Sequence, residues 1–198
     1  MSFPAPLSDA VLDRLFVQAR TVHAFQPVAI DDGLIHRLYD LLKWGPTAFN
    51  AQPARYVFVR SAQAKERLLP ALSAGNVAQT RSAAVTAIIA QDARFHDHLP
   101  TQFPAYDAKA LFEGNEALRE ATAQRNGSLQ GAYLILAARA LGLDAGPQSG
   151  FDAAKVDAAF FPEGRWKTNF LVNLGVADHA ATLPRGPRLS FEEAARIV

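Results

Sequence analysis

At 198 residues, with 49% hydrophobic and 20% charged side chains, the chain has the makings of one domain with a proper core, not of a disordered segment. Its formal net charge of +1 gives no electrostatic case for nucleic acid or an anionic membrane surface. It has no cysteine, which removes disulfides, thiolate catalysis and zinc–thiolate sites and suits the cytoplasm. The start, MSFPAPLSDA, has no basic stretch leading into an apolar one, so a secretory signal is not expected. The apolar run around Ala132 to Ala138 is too short to span a bilayer.

In chain order, Ser8 is placed to cap a first helix with Val11, Leu12, Leu15, Phe16 and Ala19 on one face. Pro27 marks an extended segment. Asp31 or Asp32 can cap a second helix carrying Leu34, Ile35, Leu38, Leu41 and Leu42, with Lys43 complementing its dipole. Trp44-Gly45-Pro46 ends that helix, because glycine accepts unusual dihedrals and proline has no amide donor. The stretch that follows, Thr47, Ala48, Asn50 and Gln52 up to Pro53, is small and rich in side-chain amides. It suits a loop pressing its backbone against a flat polar ligand. YVFV at 56–59 reads as a buried strand, Ser61 opens a helix broken at Pro70, and VTAIIA at 85–90 is a second strand.

Residues 91–125 read as an irregular, aromatic excursion, a lid or partner-facing segment. Gly127 to Leu141 is apolar on nearly every side and predicts a central buried helix, with Tyr133 in the core and Gly142 as its stop. Gly142 to Gly150 reads as that stop followed by a turn. FLVNLGV at 170–176 is a third strand, and Ser190 with Glu193 forms an S-x-x-E capping box. The pattern predicts a single α+β domain over 1–198, a sheet covered by helices. No G-x-G-x-x-G follows a strand and no P-loop is present, which weighs against Rossmann and P-loop enzymes. His96-Asp97-His98 is a metal candidate only by its alternation, lacking further ligands at fixed spacing, and suits an exposed or lid role instead. No serine sits in a nucleophile elbow.

Four separated segments line up with one pattern. ARTVHAF at 19–25 resembles the R-S-x-R-x-F signature of nitroreductase-family flavoproteins. WGPTAFNAQP at 44–53 resembles that family's A-P-S-x-x-N-x-Q-P, and GLDAGPQSGF at 142–151 its G-L-x-x-x-P-x-x-G-F. PRGPR at 184–188 supplies a basic C-terminal element. Longer wording, such as YDLLKWGPT, QPARYVFVRS and GNEALREATAQRNGSLQGAYLILAARALGLDAGP, is similar to the malonic semialdehyde reductase branch, which reduces that aldehyde to 3-hydroxypropionate in pyrimidine degradation.

The resemblance implies a nitroreductase-like fold with a mainly antiparallel sheet. It also implies a homodimer with FMN at the subunit interface and NAD(P)H as hydride donor. Arg20, Thr21, His23, Arg185 and Arg188 are then phosphate candidates, with histidine standing where the family has a second basic residue. Pro46, Thr47, Ala48, Asn50 and Gln52 would line one edge of the ring; the bland reading is that the two amides only tie down their own loop. Pro147, Ser149 and Gly150 would lie against the ring near flavin N5, and Asn76 would add an amide. No side chain is expected to do catalytic chemistry itself, since the cofactor transfers the electrons. The alternatives are a broad nitro or quinone reductase and a flavin-binding protein without turnover.

Overall fold

The structure is a computed structural model and describes residues 3–198. Helix α1 (Asp9–Leu12) runs into a π-type turn at Asp13–Val17, and a short strand β1 (Phe25–Gln26) follows. Then come α2 (Asp32–Leu42), β2 (Ala54–Val59), α3 (Ala62–Leu68), α4 (Ala74–Ser82) and β3 (Val85–Asp92). Short helices α5 (Leu99–Gln102) and α6 (Ala108–Glu113) precede α7 (Glu116–Ala140). Last are β4 (Asp144–Gln148), α8 (Ala153–Phe160), β5 (Trp166–Ala177) and α9 (Phe191–Ala194).

The sheet runs β1-β5-β3-β2, with β4 also paired to β5, and every ladder is antiparallel. The α+β, helix-flanked antiparallel layout expected from the sequence is therefore the one present. β3 lies between β5 and β2 and is covered on both faces, which is why VTAIIA is apolar without alternation. Its side chains still divide by period two. Val85, Ala87 and Ile89 enter one core with Leu38, Leu42 and Leu134; Ile88 and Ala90 enter another with Leu68, Val156 and Leu171. At the end of β3, Asp92 (1% exposed) accepts from Arg165 Nε at 2.8 Å, Arg165 Nη2 at 2.9 Å and Arg55 Nη2 at 2.7 Å. That ion network ties β2, β3 and β5 together. Asp31 caps α2 through Leu34 N at 2.7 Å, and the Ser190–Glu193 box is made in both directions.

Several expectations are corrected. Ser8 stands at the N-cap of α1 but its side chain makes no cap bond, and the predicted inner face is half open, with Phe16 54% exposed. Residues 91–125 are not irregular. Asp107 caps α6, Pro100 sits in the first turn of α5 where proline is tolerated, and 116–125 already belong to α7. This segment has its own small core of Phe95, Leu99, Phe112 and Ala123, edge-packed around Phe95–Phe112 at 5.1 Å. His96 is buried in it, not exposed. Asp144–Gln148 is a strand, not a turn; β4 pairs along its length with β5 and on its other side meets only a single bridge at Ala145, so Pro147 withholds no needed donor. Tyr133 is 38% exposed on the outer side of α7, so it is not core.

Candidate functional site

The segment before β1 is pinned against β4. Val22 N donates to Ala145 O at 3.2 Å, Thr21 bridges the same residue, and a Cβ on Gly146 would stand 2.3 Å from Val22 O. Only glycine allows that approach. The C-terminal tail crosses this segment through reciprocal arginine contacts. Arg20 donates to Leu183 O, and Arg185 Nη2 donates to Val17 O and, at 2.8 Å, to Ala19 O. From the end of α7, Arg139 Nη1 reaches Leu15 O at 2.9 Å.

Together they enclose a polar cleft of about 410 Å³ lined by Arg20, Thr21, His23, Arg139, Arg185 and Arg188, with no carboxylate in its wall. Among the described residues none of these four arginines has a salt-bridge partner; Arg188 only folds back on Gly186 O and Pro187 O. Burial, then the charge of Arg185, lowers the Arg139 guanidinium from its usual range, with Asp144 opposing. Clustered guanidiniums without an acid make a receptor for a multiply charged oxyanion.

The second part of the site is where α4 meets the end of β4. Ser73 N and Asn76 Nδ2 both donate to Gly150 O, at 2.9 and 2.8 Å. A Cβ on Gly150 would lie 2.6 Å from Asn76 Nδ2, so a larger residue there would push that amide off its hydrogen bond. Gln79 joins Asn76, Gln148 and His23 through its amide. His23, Asn76 and Gly150 are thus brought into one network, and His23 also lines the arginine cleft. Ser149 and Pro147 flank the glycine in sequence.

The loop after α2 is the third part. Phe49, Asn50 and Gln52 adopt φ values of 54°, 49° and 42°, left-handed conformations that non-glycine residues rarely take, on either side of a right-handed Ala51. Each such residue costs of order 1–3 kcal/mol and persists only where its surroundings enforce it. Here Ala48 N donates to Asn126 Oδ1 at 2.8 Å, Gln52 N to Thr47 Oγ1 at 3.1 Å, and Ala54 N to Gln130 Oε1 at 2.9 Å. Phe49 is edge-packed against Phe103 at 5.4 Å and Phe112 at 5.8 Å. Asn50 Nδ2 bonds Gln102 O, and Gln52 Nε2 bonds Asn50 Oδ1. Both side-chain amides are therefore engaged within the protein, and Pro46 and Ala48 are exposed.

These parts are not all adjacent. The loop is tied to α7 at Asn126 and the cleft contains Arg139, thirteen residues on, about 20 Å along a helix. Among the described residues no hydrogen bond joins 46–52 to 20–23, 147–150 or 183–188. Arg139, Gln79, Gln148 and Asn126 are contributors that motif reading missed. Arg139 closes an apolar helix, and the three amides lie on helix or strand faces that local spacing does not mark as special. No group of three or more metal-ligating side chains occurs among the described residues; Asp97 pairs with Arg94 at 3.0 Å instead.

The Nitroreductase family model matches residues 17–176. A Burkholderia lata protein provisionally named an NADH dehydrogenase/NAD(P)H nitroreductase is 62% identical over 96% of this chain and 98% of its own. A Stenotrophomonas maltophilia protein of the same provisional name is 61% identical over 96% and 97%. Two solved structures share the fold: a Bacillus subtilis protein provisionally termed a nitroreductase (TM-score 0.85, 21% identity, 96% and 100% of the two chains), and one from Exiguobacterium sibiricum described in complex with FMN (TM-score 0.84, 19% identity, 98% and 99%).

Proposed function

The chain belongs to the Nitroreductase family, and from that premise we propose that it is a cytoplasmic, FMN-dependent NAD(P)H oxidoreductase whose acceptor is malonic semialdehyde. The observation that carries the cofactor is the acid-free arginine cleft, linked through His23, Gln79 and Asn76 to the backbone at Gly150. A dianionic phosphate at one end and a flat ring at the other is what such a pair accommodates. Arg20, Thr21, His23, Arg185 and Arg188 would hold the phosphate, joined by Arg139. Pro147, Ser149, Gly150 and Asn76 would meet the ring.

FMN, when bound, supplies two-electron hydride transfer between NAD(P)H and the acceptor. The chain's own contribution is binding, orientation and exclusion of water. The loop at 46–52 would complete the ring site from a second copy, since in its own chain it is anchored to the other half of α7. A second copy would also account for the exposure of Trp44 (77% exposed), Leu129 and Tyr133. Residues 95–113, which brace Phe49, would form the wall nearest the acceptor.

The choice of malonic semialdehyde rests on the sequence likeness of the long segments to that reductase branch. The names of the 61–62% identical relatives favour a second reading, a broad nitro-compound reductase. Anaerobic stopped-flow separates the two. Protein reconstituted with FMN and bleached by NADPH or NADH is mixed with malonic semialdehyde or with a nitroaromatic. Faster colour recovery with the aldehyde is expected; recovery with the nitroaromatic alone replaces the first reading by the second.

A further inference from the structure

The arginine cleft and the Gly150 backbone are linked by a hydrogen-bond relay whose polarity is set at one end. Gly150 O can only accept, so the Asn76 atom facing it at 2.8 Å is Nδ2. Asn76 Oδ1 is then turned to Gln79, which has to donate through Nε2, at 2.6 Å. The same nitrogen donates to Gln148 Oε1 at 2.9 Å, which uses both of its hydrogens. Gln79 Oε1 is left to accept, and its partner is His23 Nδ1 at 2.8 Å. Gln79 is 6% exposed, so water cannot replace these partners cheaply. His23 therefore carries its hydrogen on Nδ1, and Nε2 is the nitrogen left for the cleft that the ring lines.

We propose that Gln79 is a positioning residue that fixes His23 in the Nδ1–H tautomer, so that a phosphate monoester bound in the cleft draws a solvent proton onto His23 Nε2. A neutral ring held this way offers an anion only a lone pair, which repels it. Protonation at Nε2 turns the same atom into a charged donor. The other groups facing the cleft are Arg20 from the same segment, Arg139 from α7, and Arg185 and Arg188 from the tail. A guanidinium is a permanent cation and no carboxylate lines the cleft, so among the lining side chains histidine is the one that takes up the proton. The naming of FMN as the monoester rests on the function proposed above; the relay itself does not.

Imidazole ¹⁵N spectra of the full chain without added anion test the first half. A pyrrole-type Nδ1 and a pyridine-type Nε2 are expected for His23. Gln79→Leu, which removes the acceptor from Nδ1, should give a mixture of tautomers. An Nε2–H ring in the unsubstituted protein overturns the proposal. Titration calorimetry near pH 7.5, in buffers of different ionisation heat, tests the second half with FMN and separately with inorganic phosphate. Uptake of up to one proton more by the unsubstituted chain than by His23→Gln is expected. Equal proton counts with FMN bound overturn the relay and leave the cofactor assignment standing. His23-dependent uptake with inorganic phosphate but no FMN binding overturns the cofactor assignment and leaves the relay. Binding of neither overturns both.

Discussion

Arg20 and Asp92 show two ways a single charge is used. Among the described residues the Arg20 guanidinium has only the exposed Leu183's carbonyl as hydrogen-bond partner, so its removal leaves no buried group there uncompensated. Arg20→Ala should weaken FMN binding about 10- to 100-fold, the worth of a charge-assisted hydrogen bond of about 1.5–3 kcal/mol, with little change in melting temperature. Unchanged affinity by fluorescence titration would remove Arg20 from the phosphate site. Asp92 is the opposite case. Burial pushes its carboxyl up, but the hydrogen bond from Arg165, the Arg94 N–H and the charges of Arg55 and Arg165 outweigh that and hold it below the usual range. A depressed folded value means that the stabilisation is present above the unfolded carboxyl's titration, near pH 3.9, and is lost as pH falls further. Asp92→Asn should cost about 2–3 kcal/mol in denaturant unfolding, toward the low side for a broken buried pair because Arg165 is partly solvated. A loss under about 0.5 kcal/mol would contradict this reading. Arg20 was legible because a short motif marks it; Gln79 was not, since its role exists only where α4, β4 and the 20–23 segment meet.

At the level of elements, strands that are apolar on both faces announced themselves, and β4 did not. DAGPQ has poor strand propensity and becomes a strand because β5 offers it a free edge, tertiary context overriding local preference. The same contact makes Gly146 sensitive. Gly146→Ala forces its Cβ onto a backbone carbonyl and should lower stability by about 1–3 kcal/mol while weakening FMN binding, because the segment carrying Arg20 and His23 must move. Retained stability and affinity together would show the approach to be looser than drawn.

The 95–113 region was hidden for a related reason, since its core joins aromatics spaced irregularly along the chain with Phe49 from another loop. His96 lies within it, 7% exposed. Burial is the main cause that lowers its imidazole from the ordinary range, with Arg119 and Arg94 acting alike and Asp97 and Glu113 opposing. The unfolded chain therefore takes the proton first, and the contribution to stability is full above about pH 6.5 and declines below it. Hydrogen exchange of residues 95–113 should accelerate between about pH 7 and pH 5 beyond its intrinsic pH dependence. His96→Leu should remove that acceleration; its persistence would assign the effect to another group.

For the whole molecule, no helix among the described residues is long and apolar enough to cross a membrane. The 46–52 loop and the arginine cleft are anchored thirteen residues apart on α7, where Leu129 and Tyr133 stay exposed. Fold class and the order of motifs were readable from the sequence because each motif is local. That the 46–52 loop has no hydrogen bond to the other three motifs among the described residues of one chain was not readable from local spacing, because the separation depends on where the loop and the cleft are anchored along α7. A site shared by two copies was expected only through the family resemblance. Sedimentation velocity of the FMN-reconstituted protein, followed at flavin wavelengths, puts this to the test most directly. Flavin moving with a species of twice the chain mass, at one FMN per chain, is the predicted result. Tightly bound flavin on a single chain, or none moving with protein at all, would contradict a cradle built between two copies.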